Sequence, residues 1–174
     1  MILTLVLVSL PVGASAGSHR AGASAAFLTN TLGSRLNGIQ LSFDATLLGE
    51  REAHSTGADH LGTLSLLLDT NWVNGDSEGR NLGQATVMGG LRYTFHGLAH
   101  TRAQLFVEGT VGQSWELQRE SASDAAAFGA GVDLQPLPDH PRVAFRLRYA
   151  RSWIGARDGE WYNQVSIGLA VRFQ

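Results

Sequence analysis

The chain ends on "VSIGLAVRFQ", Val165–Gln174. Val165, Ile167, Leu169, Val171 and Phe173 alternate with Ser166, Gly168, Ala170 and Arg172. A period of two puts one set on each face of a β-strand. A soluble barrel turns the apolar face inward, whereas a membrane barrel turns it outward. Deciding which face meets water therefore decides the fold.

Seven further stretches read the same way. They are Gly22–Thr29, Gly38–Leu48, Leu61–Val73, Gly83–Phe95, Arg102–Trp115, Ala125–Gln135 and Arg142–Trp153, with Tyr162–Phe173 as the eighth. Most exceed the usual five or six residues of a globular strand. They match the length of a tilted strand crossing a bilayer. Between them lie turn-forming clusters, "NTLGSRLN", "NGDSEGRNL" and "GARDGE", rich in Asn, Asp and Gly. "QPLPDHP" carries three of the four prolines, which end a strand cleanly. No amphipathic helix, fixed-period repeat or linker interrupts the series. The pattern predicts an all-β protein, a sandwich or an up-and-down barrel.

Composition narrows the class. The 174 residues suffice for one domain with a sizeable core. Charged residues make up 16%, below the usual quarter, and there are 21 glycines. The net charge of −2 gives no basic footprint for nucleic acid. There is no cysteine, which excludes disulfides, thiolate metal sites and a cysteine nucleophile. At the start, "MILTLVLVSLPVGASAG" joins a short apolar run to Ala14-Ser15-Ala16. This predicts a secretory signal peptide over residues 1–16 and a barrel domain over 17–174. The apolar run is too short to span a membrane as a helix.

The two strand faces differ in more than polarity. One carries Ile39, Leu41, Phe43, Leu66, Leu68, Val87, Leu91, Leu105, Val107, Phe128, Phe145 and Leu147. The other is small, polar and charged, with Leu67, Met88 and Phe106 as apolar exceptions. Its abundance of glycine, alanine and serine suits a crowded small-barrel interior. All four tryptophans, Trp72, Trp115, Trp153 and Trp161, fall on the apolar parity near strand ends. With both termini on one side, those ends share the opposite rim, as a membrane-interface belt requires. Tyr93, Phe95 and Phe173 would form a sparser girdle at the other rim. These features predict the inverted barrel, apolar side outward.

At this point a resemblance applies. "VSIGLAVRF", "VMGGLRYTF", "FGAGVDL" and "VAFRLRYARS" resemble strands of small eight-stranded bacterial outer-membrane β-barrels, the OmpA/OmpX-like architecture. The resemblance implies an antiparallel transmembrane barrel in the outer membrane, with N- and C-termini in the periplasm. It also implies that the assembly machinery reads the terminal strand through its aromatic, here Phe173 followed by Gln174. Outer-membrane lipid and that machinery are the expected partners, and a monomer the expected state.

On the polar face Asp44, Asp69, Glu108 and Asp133 stand against Arg92, Arg146, Arg148 and Arg172. Arginine suits bidentate pairing in a low-dielectric interior. Eight strands leave a lumen that side chains just fill. The set therefore reads as a packed plug, with a narrow pore for ions or small solutes as the alternative. A soluble lipocalin-like barrel binding a small apolar ligand is the alternative from outside the membrane.

Other motifs carry no chemistry. "GAG" at Gly129–Gly131 sits inside a strand, with no helix N-terminus to hold phosphate. His19 lies near the expected new N-terminus. His54, His60, His96, His100 and His140 fall in turns, without a metal-binding helical spacing. No strand contributes a histidine to a serine hydrolase site. The sequence thus reads as a non-enzymatic barrel without cofactor or metal. It displays four outer loops, near Asn30–Asn37, Asn74–Leu82, Leu117–Asp124 and Ile154–Glu160. The long inner turn Gly49–His60 has no assigned role.

Overall fold

The computed structural model describes residues 21–32, 34–48, 62–77, 80–95, 103–117, 121–135, 142–155 and 159–173. They form eight strands: β1 (Ala21–Leu32), β2 (Ser34–Leu48), β3 (Gly62–Ser77), β4 (Arg80–Phe95), β5 (Ala103–Glu116), β6 (Ser121–Leu134), β7 (Val143–Ile154) and β8 (Glu160–Phe173). Each pairs antiparallel with the next, and β8 returns to pair with β1. Closure leaves no edge strand, so the sheet interior satisfies its own backbone groups. The segment 1–16, the turn Gly49–His60 and all six histidines lie outside the described residues.

The alternation resolves as the inverted arrangement. Phe43, Leu66, Leu91, Val107, Phe128, Leu147 and Ile167 lie on the outer surface, Ile167 with 61% of its area exposed. Their neighbours Ser42, Ser65, Arg92, Glu108, Arg146, Arg148 and Ser166 are buried inside. A water-soluble barrel has no means of leaving such a belt uncovered. Near the end of β2 the register shifts between Thr46 and Leu48. The bulge breaks strict alternation and leaves Leu47 and Leu48 both exposed.

The four loops expected to face outward are shorter than the sequence pattern predicts. β1 pairs with β2 as far as Leu32 opposite Ser34, and β3 with β4 as far as Ser77 opposite Arg80. β5 and β6 pair to Glu116 opposite Ser121, and β7 and β8 to Ile154 opposite Glu160. Turn-type residues in Asn30–Asn37 and Asn74–Leu82 are thus mostly strand. Antiparallel pairing continues beyond the turn signal because each further residue pair satisfies backbone donors and acceptors. The resulting strands, 12 to 16 residues long, exceed the roughly nine to eleven that a bilayer needs.

The interior has two parts. Its half nearer the chain termini holds the charged residues. Nearer the hairpin turns, Leu28, Leu36, Val73, Ile154 and Tyr162 meet in a buried apolar cluster. The sequence reading has only Leu67, Met88 and Phe106 as apolar residues on this face. The additional five lie in the turn-side halves of their strands, at the edges of the clearly alternating segments or just beyond them.

Candidate functional site

Three strands supply the arginines, β4, β7 and β8, and four the acids, β2, β3, β5 and β6, and cross-strand register brings them together. Arg92 on β4 lies directly opposite Glu108 on β5. Its Nε and Nη2 donate to Glu108 Oε2 at 2.9 and 2.7 Å. Its Nη1 donates to Asp44 Oδ1 at 3.2 Å, spanning β3. Glu108 also accepts from Nε of Arg148 on β7. The Arg148 Nη2 lies 3.3 Å from Asp69 Oδ2 on β3, across the lumen. That contact is an ion pair without hydrogen-bond alignment, since Nη1 and Nη2 of Arg148 have no acceptor in the structure. Asp69 is fully buried and otherwise well served. Gln40 Nε2 donates to both its oxygens, at 2.8 and 3.0 Å, and Ser42 Oγ donates at 2.7 Å.

A second group centres on Asp133 of β6. Arg146, its direct register partner on β7, donates from Nε at 2.7 Å and from Nη2 at 2.8 Å. This is the two-pronged geometry that a planar guanidinium makes with a carboxylate. Arg146 Nη1 continues to Ser24 Oγ on β1 at 3.0 Å. Arg172 on β8 adds a bond to Asp133 Oδ2 at 3.1 Å. The side chains of Arg172 and Asp44 keep 32% and 22% of their area exposed, so both sit towards the mouth.

The first group contains Asp44, Asp69 and Glu108 against Arg92 and Arg148, a net charge of −1. The second contains Asp133 against Arg146 and Arg172, a net charge of +1. Phe106 lies between them. Its ring centroid is 4.7 Å from the Arg92 guanidinium carbon and 5.1 Å from that of Arg146. Both cations thus gain an aromatic face where water is excluded. The ring fits because its register partner is Gly131, where a Cβ would stand 2.3 Å from Phe106 Cζ. Sequence reading treats Phe106 only as an exception to polarity. An inward aromatic opposite a glycine was the available signal.

All eight sequence-identified charges therefore converge in the lumen. Charges this deeply buried persist only when paired and hydrogen-bonded. Among the described residues no group of three or more His, Cys, Asp or Glu side chains could hold a metal ion. The arrangement holds strands together and fills space.

The aromatic residues expected in the girdles occupy the two rims. Trp72 and Trp115 share one row through Ala85, and Trp153 faces Trp161 directly. All four are on the hairpin-turn side and on the outer surface, with Trp115 and Trp153 half-buried. Trp153 packs on the turn that enters β8. There Gly159 takes a left-handed φ of 74°, and a Cβ would lie 2.8 Å from the indole Nε1. At the opposite rim Tyr93 and Phe95 meet edge to face at 4.9 Å. Phe173 is exposed there and pairs with Ala21.

No protein-family model matches the sequence, and no curated protein matches it. Solved structures do. Neisserial surface protein A aligns with a TM-score of 0.57 at 13% identity, over 92% of this chain and 100% of that one. Ail, the attachment invasion locus protein of Yersinia pestis, aligns at 0.52 and 12%, over 89% and 99%. OprG of Pseudomonas aeruginosa aligns at 0.51 and 12%, over 90% and 96%. At these identities the likeness is one of fold. This chain has the closed, eight-stranded, antiparallel architecture of small bacterial outer-membrane barrels.

Proposed function

We propose that the protein is an integral outer-membrane barrel whose role is structural, a membrane-embedded scaffold with a side-chain-filled interior. One observation carries this reading: an exposed apolar belt surrounds an interior of matched charges. Lipid covers the belt, and the salt-bridged lumen acts as a plug without catalysis. Both termini face the periplasm, and the tight hairpins at the tryptophan rim face outward. Such short turns suit a compact surface better than a large adhesive one. Phe173 on the terminal strand serves as the assembly signal, and the barrel works as a monomer.

Cell fractionation tests the location. The protein should remain with the outer membrane after alkaline extraction and migrate differently on gels before and after boiling. Recovery as a soluble, detergent-independent protein would refute the proposal in favour of a lipocalin-like carrier.

A narrow pore is the second reading. The buried Asn30, Asn71 and Gln164 favour it, each carrying a side-chain atom without a hydrogen-bond partner in the structure. Such groups are ordinarily satisfied by water. Two features oppose a continuous path. Arg148 bridges β7 to Glu108 and Asp69, and the apolar cluster around Leu36 and Tyr162 closes the turn-side end. Purified protein in planar bilayers should show little steady conductance. A stable ohmic channel would promote the pore.

A further inference from the structure

The outward face of β6, β7 and β8 carries one feature that a purely hydrocarbon-facing wall does not explain. Arg151 lies there, exposed, at the same parity as Leu147 and Tyr149. Its register partners are Phe128 on one side and Asn163 on the other. It makes no ion pair with a carboxylate among the described residues, and its guanidinium carbon stands 5.6 Å from the ring of Trp161. Trp161 belongs to the next row towards the hairpin-turn rim, opposite Trp153. The side chain therefore reaches rimward, with its stem on the wall and its charge at the tryptophan belt.

The surroundings hold this posture. Phe128 meets Trp161 edge to face at 5.8 Å, fixing the indole beneath the guanidinium. One row towards the bilayer centre, the Tyr149 hydroxyl donates to Asn163 Oδ1 at 2.8 Å. On β6 the small residues Ala126 and Ala130 flank Phe128 on the outer face, and Arg151 beside it is exposed. Aromatic and amide groups at one level mark a polar–apolar boundary. A cation on the lipid face is costly at mid-bilayer and tolerated near the interface.

We propose that Arg151, backed by Trp161, is a binding site for the anionic phosphate of a lipid headgroup in the leaflet at the tryptophan rim. The proposal rests on the membrane reading above. Guanidinium and phosphate match in charge and in two-pronged geometry. The indole face stabilises the cation while leaving its outer N–H groups free to donate.

The test uses the full-length barrel reconstituted into bilayer discs of equimolar phosphatidylcholine and phosphatidylglycerol. Native mass spectrometry then counts the lipid species that remain bound. The wild-type protein should retain phosphatidylglycerol over phosphatidylcholine by about fivefold, the scale of one arginine at an anionic surface. Arg151→Gln should lose that preference while keeping its heat-modifiable mobility, and Arg151→Lys should retain part of it. Integration of the wild-type protein without any preference, or full preference in Arg151→Gln, overturns the site and leaves the membrane reading standing. Failure of the wild-type protein to integrate overturns both.

Discussion

Glu108→Gln tests the interior most directly, because it removes one charge and almost no volume. In the wild-type barrel that carboxylate accepts two bonds from Arg92, at 2.9 and 2.7 Å, and one from Arg148. Arg92 keeps a contact to Asp44 and Arg148 keeps one to Asp69, so neither cation is stranded outright. Yet the eight interior charges, four of each sign, become four positive against three negative. The new amide group also points N–H donors at guanidiniums that can accept nothing. Breaking a buried pair from one side costs about 3–5 kcal/mol. The retained contacts place this variant at the lower end, near 3 kcal/mol by the same principle. Asp44→Asn is the matched comparison. It removes one 3.2 Å bond from a part-exposed carboxylate, and such pairs are worth about 1 kcal/mol or less. Urea unfolding in lipid vesicles, followed by tryptophan fluorescence and gel mobility, would measure both. The denaturant midpoint should fall clearly further for Glu108→Gln, with the slope unchanged. Equal losses in the two variants would refute the claim that Glu108 joins a desolvated network.

Three further variants probe the wall, the packing and the terminus. Leu147→Arg or Ile167→Arg places a cation on the exposed belt, and should cost about 2–4 kcal/mol near mid-bilayer; folding yield into vesicles measures it, and normal yield would contradict the outward assignment. Gly131→Ala should destabilise by about 1–3 kcal/mol through overpacking against Phe106 and the Leu147 carbonyl. Gly109→Ala, with nothing within 4 Å of the added carbon, should be close to neutral in the same unfolding assay. Phe173→Ala should lower the amount of barrel recovered from the outer membrane at unchanged synthesis, and undiminished recovery would remove Phe173 from the assembly signal.

The wall was legible in the sequence because its cause is local. A strand with hydrocarbon on one side and a crowded lumen on the other must alternate at every position. "VSIGLAVRF" and "VAFRLRYARS" do so almost without interruption, and eight such segments imply closure. The strand ends were less legible. Asn30, Asn74 and Gly75 read as turn residues, yet they lie within β1 and β3. Their placement depends on whether the partner strand continues, which no local propensity encodes. The bulge at Thr46–Leu48 escaped for the same reason.

The charged residues were found by parity alone, but their partners were not. Parity gives the face, whereas pairing depends on register and on the tilt that closure imposes. Asp133 and Arg146 are direct neighbours, while Arg148 reaches across the lumen to Asp69. Neither relation is visible in spacing along the chain. The division into groups of −1 and +1 follows from that three-dimensional pairing. It gives Phe106 a meaning that polarity patterns conceal. A polar residue at position 106 would compete for the carboxylates that the arginines need, whereas the ring offers both cations an aromatic face and makes no such demand. An apolar residue on the wet-looking face is therefore what allows two charged groups to share so narrow a lumen.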